Sequence, residues 1–201
     1  MALLSAPFAR ADRRRGSWRV EGAILSAALL LVRGVGPGLA GQTGQAPEYQ
    51  VKAVFLFNFA QFVDWPAEAV PDSQAPLVIG ILGDDPFGDF LDATVRGEYR
   101  GARPFAVQRY QRVDDITRCD ILFISRSSAD RPEEILARLK RRPILTVSDA
   151  DRFAERGGMI RFVTDRSRIR LQINPEPAEA AHLTISSKLL RVAEVITPTG
   201  H

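Results

Sequence analysis

The sequence predicts an α/β fold of the doubly wound, Rossmann-like kind, a mostly parallel sheet flanked by helices with an antiparallel C-terminal hairpin at the sheet edge. Three observations predict it. Short, continuous apolar runs recur at residues 77–82, 121–125 and 144–148. Helix-patterned segments separate them, as expected of strands buried on both faces. Two later runs, 159–163 and 168–174, instead alternate apolar and polar residues, the pattern of a half-exposed strand pair. Ahead of all of these, residues 51–63 are polar only at Lys52, Asn58 and Gln61 and include Phe55, Phe57, Phe59 and Phe62. A helix with that much apolar surface needs cover on more than one side, and it is too short and too aromatic to cross a bilayer.

Each element follows from its own pattern. At 100° per residue, Val51, Phe55, Phe59, Phe62 and Val63 of the first helix share one side, the expected core face. Lys52 falls among them, near the helix start, where its stem can pack while its amine reaches water. Val54 and Phe57 point the other way with Asn58 and Gln61. A loop or the last helix covers them, or they form a docking patch. Strand 77–82 is followed by a helix over 86–95, with Asp85 as N-cap and Pro86 as its first residue. A second strand spans 104–110 and a third 121–125. A helix over 132–142 leads to a fourth strand at 144–148. Residues 164–167 then turn a hairpin. Ile160, Phe162, Ile169, Leu171 and Ile173 face the core, and Arg161, Arg168, Arg170 and Gln172 face solvent. A last helix over 187–196, capped by Ser186 or Ser187, buries Leu189, Ala193 and Ile196.

Residues 1–47 read as an export signal and short linker. Arg10, Arg13, Arg14, Arg15 and Arg19 form a basic start, residues 23–32 an apolar centre, and the small residues that follow place cleavage near Ala40 or Ala46. An uncleaved anchor or a tail without structure is the alternative. Export leaves a single domain over 48–198 and a periplasmic location. It also changes the charge argument. The chain's net charge is +3, but residues 1–47 hold six arginines against Asp12 and Glu21, a net +4, so residues 48–201 carry 21 basic and 22 acidic groups, a net −1. That balance gives no basic excess to hold a nucleic-acid backbone. Cys119 is the only cysteine, so the chain forms no internal disulfide, and the apolar run after it points to a buried thiol.

Taken together, VKAVFLFNFAQFVDWP at 51–66, PLVIGILGDDPFGDFL at 76–91, CDILFIS at 119–125, PILTVSD at 143–149, FAERGGMIRFV at 153–163, RIRLQIN at 168–174 and ISSKLLRVA at 185–193 resemble the YfiR-like family in order and spacing. The resemblance covers about residues 48–197. It implies an exported bacterial protein with a compact α/β domain. It further implies a repressor that acts on the periplasmic part of an inner-membrane diguanylate cyclase and so lowers cyclic di-GMP in the cell. Other members look like accessory proteins of membrane signalling systems. The family's namesake has several cysteines and internal disulfides. This chain has only Cys119, so redox control of repression does not carry over.

Candidate sites follow from the fold. Ligands of open parallel sheets sit beyond the strand C-termini, which here offer Asp84 and Asp85, Ser125 and Arg126, and Ser148 and Asp149. The serines can donate to a small polar ligand and Arg126 can pair with its carboxylate. The competing account is that these residues cap the helices that follow. The turn at 80–88 lacks both the G-x-G-x-x-G spacing and a P-loop lysine, and Asp84, Asp85 and Asp89 oppose a phosphate there. For a protein partner, Val54 and Phe57 and the basic face of Arg161, Arg168 and Arg170 are the candidate surfaces. Pairing with Asp165 and Glu155 is the competing account of the arginines.

His182 and His201 are the only histidines, no G-x-S-x-G elbow accompanies them, and Asp149 and Asp151 read as a helix start without a surrounding ligand set. Together with the export signal and this lack of a catalytic set, the resemblance implies a non-enzymatic periplasmic regulator, expected to carry no cofactor or metal. Its partner is an inner-membrane signalling protein, a diguanylate cyclase or a sensor kinase, and homodimerisation stays open. The alternative is a small-molecule-binding sensor or accessory module of a histidine kinase or transport system.

Overall fold

Strand formation in the middle of the chain follows the continuous apolar runs. In the computed structural model, which describes residues 45–70, 74–129, 131–166 and 168–196, helix α1 (Gln45–Phe59) leads to β1 (Val63–Asp64), β2 (Leu77–Leu82) and α2 (Asp89–Val95). Next come β3 (Tyr99–Arg100), β4 (Arg103–Tyr110), β5 (Ile121–Ile124), α3 (Pro132–Leu139) and β6 (Leu145–Ser148). The chain then runs through β7 (Ile160–Asp165), β8 (Arg168–Ile173), α4 (Pro175–Ala180), β9 (Thr184–Ile185), α5 (Ser187–Leu190) and β10 (Glu194–Val195). The expected export signal, with its cleavage point near Ala40, lies outside the described residues. Ala46, the other expected cleavage point, falls in the first turn of α1.

Eight strands form one sheet in the order β10-β8-β7-β6-β5-β2-β4-β3, and β1 pairs separately with β9. The block from β4 through β2, β5 and β6 to β7 is parallel. The first crossover places β4 on one side of β2 and the next returns the chain to its other side, so the strand order reverses between β2 and β5. In doubly wound sheets that reversal marks the ligand crevice. The fold class is the one the sequence predicts. The β7–β8 hairpin is antiparallel, with Phe162 opposite Leu171 and Arg161 opposite Gln172. Beyond it the outermost strand is β10, which runs parallel to β8 at Gln172 and Ile173.

Alternate residues of each buried strand serve two cores. Leu77, Ile79 and Ile81 of β2, Ile121 and Phe123 of β5, and Leu145 and Val147 of β6 pack with α1 and α2. Leu82, Leu122 and Ile124 face the other way, against Leu139 of α3, Ile144 and Phe153. Gly80 keeps this second layer thin. A β-carbon there would stand 2.7 Å from Cys119 Sγ and 2.8 Å from the Tyr110 ring.

The first helix is rotated from its expected orientation. Ala53, Leu56, Phe59 and Ala60 are buried, whereas Val51 is 46% exposed and Phe55 and Phe62 are half-buried. The cause is side-chain size. The two alanines let the helix lie close to the sheet, and the larger rings splay to either side. Phe55 leans on Phe162 of β7 with ring centroids 5.9 Å apart, and Phe57 leans on Phe105 of β4 at 5.0 Å. The helix also stops at Phe59, and Ala60, Gln61 and Phe62 close i→i+3 turns, so the 100° projection misplaces Phe62. Lys52 does not reach water. It is fully buried, and its amine pairs with carboxylates.

Three further helices are shorter than expected, the one over 132–142 ending at Leu139. Asp85 accepts from the amides of Phe87 (2.8 Å) and Gly88 (3.2 Å), which holds residues 86–88 in a turn and delays α2 to Asp89. The last helix ends at Leu190 instead of running to Ile196. Ser186 caps it by accepting from Lys188 N, and the β-branched Val195 and Ile196 extend along β8, with Ile196 N donating to Ile173 O at 2.9 Å. Four helical residues make little headway against nucleation, and the free edge of β8 offers backbone partners instead. Ile196 and Ala193 are half-buried, and Leu189 is buried as expected.

Candidate functional site

The reversal between β2 and β5 brings together the strand ends named from the sequence. Gly83, just after β2, adopts φ +88°, and a β-carbon on it would stand 2.2 Å from Ser128 Oγ, 2.7 Å from Ser125 Oγ and 2.9 Å from Ser127 Oγ. Glycine is needed here both for the left-handed backbone and for the close approach of three hydroxyls. Ser127 Oγ accepts from Asp84 N at 3.0 Å and shares a hydrogen bond with Ser125 Oγ at 2.7 Å.

The other strand-end groups also find partners inside the chain. Asp85 accepts from Arg109 Nε at 2.7 Å. Ser148 Oγ donates to Ile124 O at 2.6 Å and accepts from Ala150 N at 3.1 Å. Arg126 Nη2 donates to the Asp149 carbonyl at 3.1 Å, and Arg126 Nε stands 3.4 Å from Asp149 Oδ1. Asp84, Asp85, Ser125, Arg126, Ser148 and Asp149 thus line one row across the sheet.

The N-terminal turns of α1 close this row over β6. Asp149 is buried. Its Oδ2 accepts from Lys52 Nζ at 2.5 Å and from the Tyr49 hydroxyl at 2.8 Å, whereas Oδ1 makes no hydrogen bond among the described residues. Lys52 Nζ also stands 2.5 Å from Glu48 Oε1 and 4.3 Å from the Tyr49 ring centroid. Glu48 in turn accepts from Thr164 Oγ1 at 2.8 Å, which ties α1 to β7.

The electrostatics follow from this packing. Burial favours the neutral acid at Asp149, but the hydrogen bonds and charge of Lys52, with help from Tyr49 and Arg126, outweigh it and hold the carboxyl below its ordinary value. Glu48 is held low in the same way, with Lys52 and Thr164 opposing its burial. Burial and the Asp149 hydrogen bond push the Tyr49 phenol up, so it stays a donor. Tyr49 packs edge-on against Phe87, and Phe87 against Phe123, so the charged cluster rests on an aromatic column.

The candidate partner surfaces divide. Val54 is 43% exposed and lies near Val51 on the outer face of α1. Phe57 is half-buried against Phe105. Arg168 and Arg170 are exposed, and Arg170 pairs with Asp165 at 2.9 Å. Arg161 departs from the expected open face. Its side chain is only 16% exposed, with Nη2 at 2.6 Å from Asp151 and Nη1 donating to Gln172 at 3.1 Å. Gln172 donates to Glu194 of β10 at 3.0 Å, so the added strand draws this row inward. Glu155, the other expected acidic partner, pairs with Arg152 instead. Asp151 lies in a run of turns, not a helix start.

Cys119 is buried, and that burial pushes its thiol up to about 12. No described helix is long and apolar enough to cross a membrane.

Sequence reasoning missed Glu48, Tyr49 and Lys52 as members of the strand-end cluster. The i,i+4 spacing of Glu48 and Lys52 is a visible pairing signal. The contact of Lys52 with Asp149 spans 97 residues and has no local signature.

Residues 49–194 match the family model described as YfiR/HmsC-like. No curated protein matches the sequence. Among solved structures, the chain is similar to a conserved domain protein from Vibrio cholerae O1 biovar El Tor, with 13% identity and a TM-score of 0.49 over 74% of this chain and 60% of that one. The chain therefore spans about 60% of the length of that relative.

Proposed function

Because the chain belongs to the YfiR/HmsC-like family, we propose that it is an exported, non-enzymatic regulator that binds the periplasmic part of an inner-membrane signalling protein and holds it inactive. The partner is a diguanylate cyclase, and repression lowers cyclic di-GMP. The family match over residues 49–194 carries this reading. The strand-end geometry is in keeping with it, since the carboxylates of Asp85 and Asp149 are taken by Arg109, Lys52 and Tyr49. The exposed outer face of α1 at Val51 and Val54 supplies apolar contact, and Arg168 and Arg170 supply charge at the sheet edge.

Mechanistically, repression is a population shift. The regulator binds the inactive cyclase more tightly than the active one, and each tenfold of bias needs about 1.4 kcal/mol of differential affinity. Moving the cyclase from 99% active to 99% inactive needs about 10⁴-fold.

Deleting the gene raises cellular cyclic di-GMP, and supplying the protein in trans restores the lower level. Val54→Glu changes an exposed side chain, so its circular dichroism matches the parent, yet it fails to restore repression. An unchanged cyclic di-GMP level after deletion, in a strain that expresses inner-membrane diguanylate cyclases, overturns the proposal.

A further inference from the structure

A groove of about 490 Å³ opens beside α3, where Leu136, Leu139, Ile144, Met159, Pro177 and Ala180 form an aliphatic wall. Its size is that of a small-molecule site. The groove reaches from α3 to α4, and α3 packs on the sheet face opposite α1. It is therefore separate from both the strand-end row and the outer face of α1.

The polar groups at the back of the groove are already used. Thr146 Oγ1 accepts from Met159 N at 3.2 Å, and Met159 Sδ accepts from Thr146 N at 3.5 Å. Asn174 accepts from Glu176 N and donates to Ala154 O. At the rim, Arg156 is held by Glu133, and Glu155 by Arg152. Lys140 and Arg141 remain, exposed and without a side-chain partner among the described residues, with Glu176 as the one unpaired carboxylate on the rim.

Arg141 follows the C-terminal end of α3 at φ +64°, a left-handed conformation that Arg152 and Arg166 also adopt, so what sets it apart is its place beside the groove. Arg141 also lines a second cavity, of about 580 Å³, with Glu68 and His182.

We propose that the groove binds an unbranched aliphatic carboxylate, with the carboxylate on Lys140 and Arg141 and the chain along Leu136, Leu139, Ile144 and Met159. Two free cations at the mouth select an organic anion. No aromatic ring lines the groove, so it has no stacking partner for a ring and suits a flexible chain. The satisfied polar groups at the back leave methylene contacts as the remaining source of affinity. This site goes beyond the regulator reading and does not rest on it.

Calorimetric titration of the full-length protein with sodium octanoate, decanoate and dodecanoate, each below its micelle concentration, tests the proposal. Binding is saturable at one per chain and tightens about fourfold per added methylene, the increment for a buried CH₂. The double variant Lys140→Glu/Arg141→Glu, at two exposed positions, weakens all three acids by about tenfold or more and keeps the fourfold step. Ala137→Trp, exposed on α3 and at the groove wall, blocks the chain and abolishes the step. Absence of saturable heat, affinity independent of chain length, or unchanged binding in both variants overturns the proposal. So does naphthalene-2-carboxylate binding as tightly as dodecanoate. Capture of the protein by phosphatidylglycerol vesicles without any binding of the free acids overturns it as well, because the source would then be a membrane lipid.

Discussion

Lys52→Met lowers the unfolding free energy by about 3–5 kcal/mol, the range for removing one partner from a buried ion pair. Lys52 is fully buried, and its amine lies 2.5 Å from Asp149 Oδ2 and 2.5 Å from Glu48 Oε1. Methionine keeps the apolar stem and most of the volume, so the loss reports charge rather than a cavity. It leaves the Asp149 carboxyl buried without its main counter-charge, with the Tyr49 hydroxyl at 2.8 Å and Arg126 Nε at 3.4 Å as its remaining support. Urea denaturation reads the effect as a fall in midpoint at constant slope. Lys52→Met/Asp149→Leu recovers most of the loss, because it removes both charges together. A single variant within about 0.5 kcal/mol of the parent would show that this cluster contributes nothing beyond surface pairing.

The same cluster sets an acid limit. Asp149 and Glu48 are held below their ordinary carboxyl values in the folded chain. A group depressed in this way contributes stability that is fully present above its unfolded value, about 4, and is lost as pH falls through its folded value. The urea midpoint of the parent is therefore steady at neutral pH and falls below about pH 4. Asp149→Asn removes the largest part of that slope, and a slope unchanged by it would assign the acid sensitivity to other carboxylates.

What the sequence reveals divides along range of interaction. Period-two and continuous apolar patterns are local, and they place β2, β5, β6 and the β7–β8 hairpin within a residue or two. The strand ends form a row only if the strand order is the doubly wound one, and that order, with its reversal between β2 and β5, comes from the structure. The face that α1 buries is not legible in the sequence. Helical projection ranks residues by hydrophobicity, while the contact line is set by which side chains are small enough to approach the sheet. Ala53 and Ala60 win that contest over Val51 and Phe55.

The same limit explains the charged residues. Lys52 looks like a residue that reaches water because nothing near it in sequence shows Asp149 waiting 97 positions on. Arg161 looks as open as Arg168 because its partner row, Gln172 and Glu194, is completed only when β10 adds to β8. That addition comes from a stretch whose pattern suits a helix, and its selection of an extended form is a tertiary effect. Lys140 and Arg141 carry no signal in the sequence. What marks them in the structure is their lack of side-chain partners, among the described residues, beside an aliphatic groove.

At the opposite end of the sheet, Asp120→Ala lowers stability by about 3–5 kcal/mol. Asp120 stands at the start of β5 and Arg103 at the start of β4, both buried. Asp120 Oδ1 accepts from Arg103 Nη2 at 2.7 Å, and Oδ2 accepts from the Val78 amide of β2 at 2.8 Å. Arg103 also donates to the carbonyls of Ala75 and Pro76, each at 2.9 Å. One carboxylate therefore binds three strands together, and alanine leaves a buried guanidinium without its counter-ion and a buried amide without its acceptor. Asp120→Asn keeps an oxygen for one donor and loses the charge, so its effect falls between alanine and the parent. Trp65 Nε1 donates to Asp120 O at 3.3 Å, which makes indole fluorescence a local reporter of the same transition. The Asp120 and Lys52 clusters share no partner and sit at opposite strand ends. Their losses therefore add to within about 0.5 kcal/mol in Lys52→Met/Asp120→Ala. A larger coupling would mean that the two ends of the sheet unfold as one strained unit, and would refute the separation drawn between them.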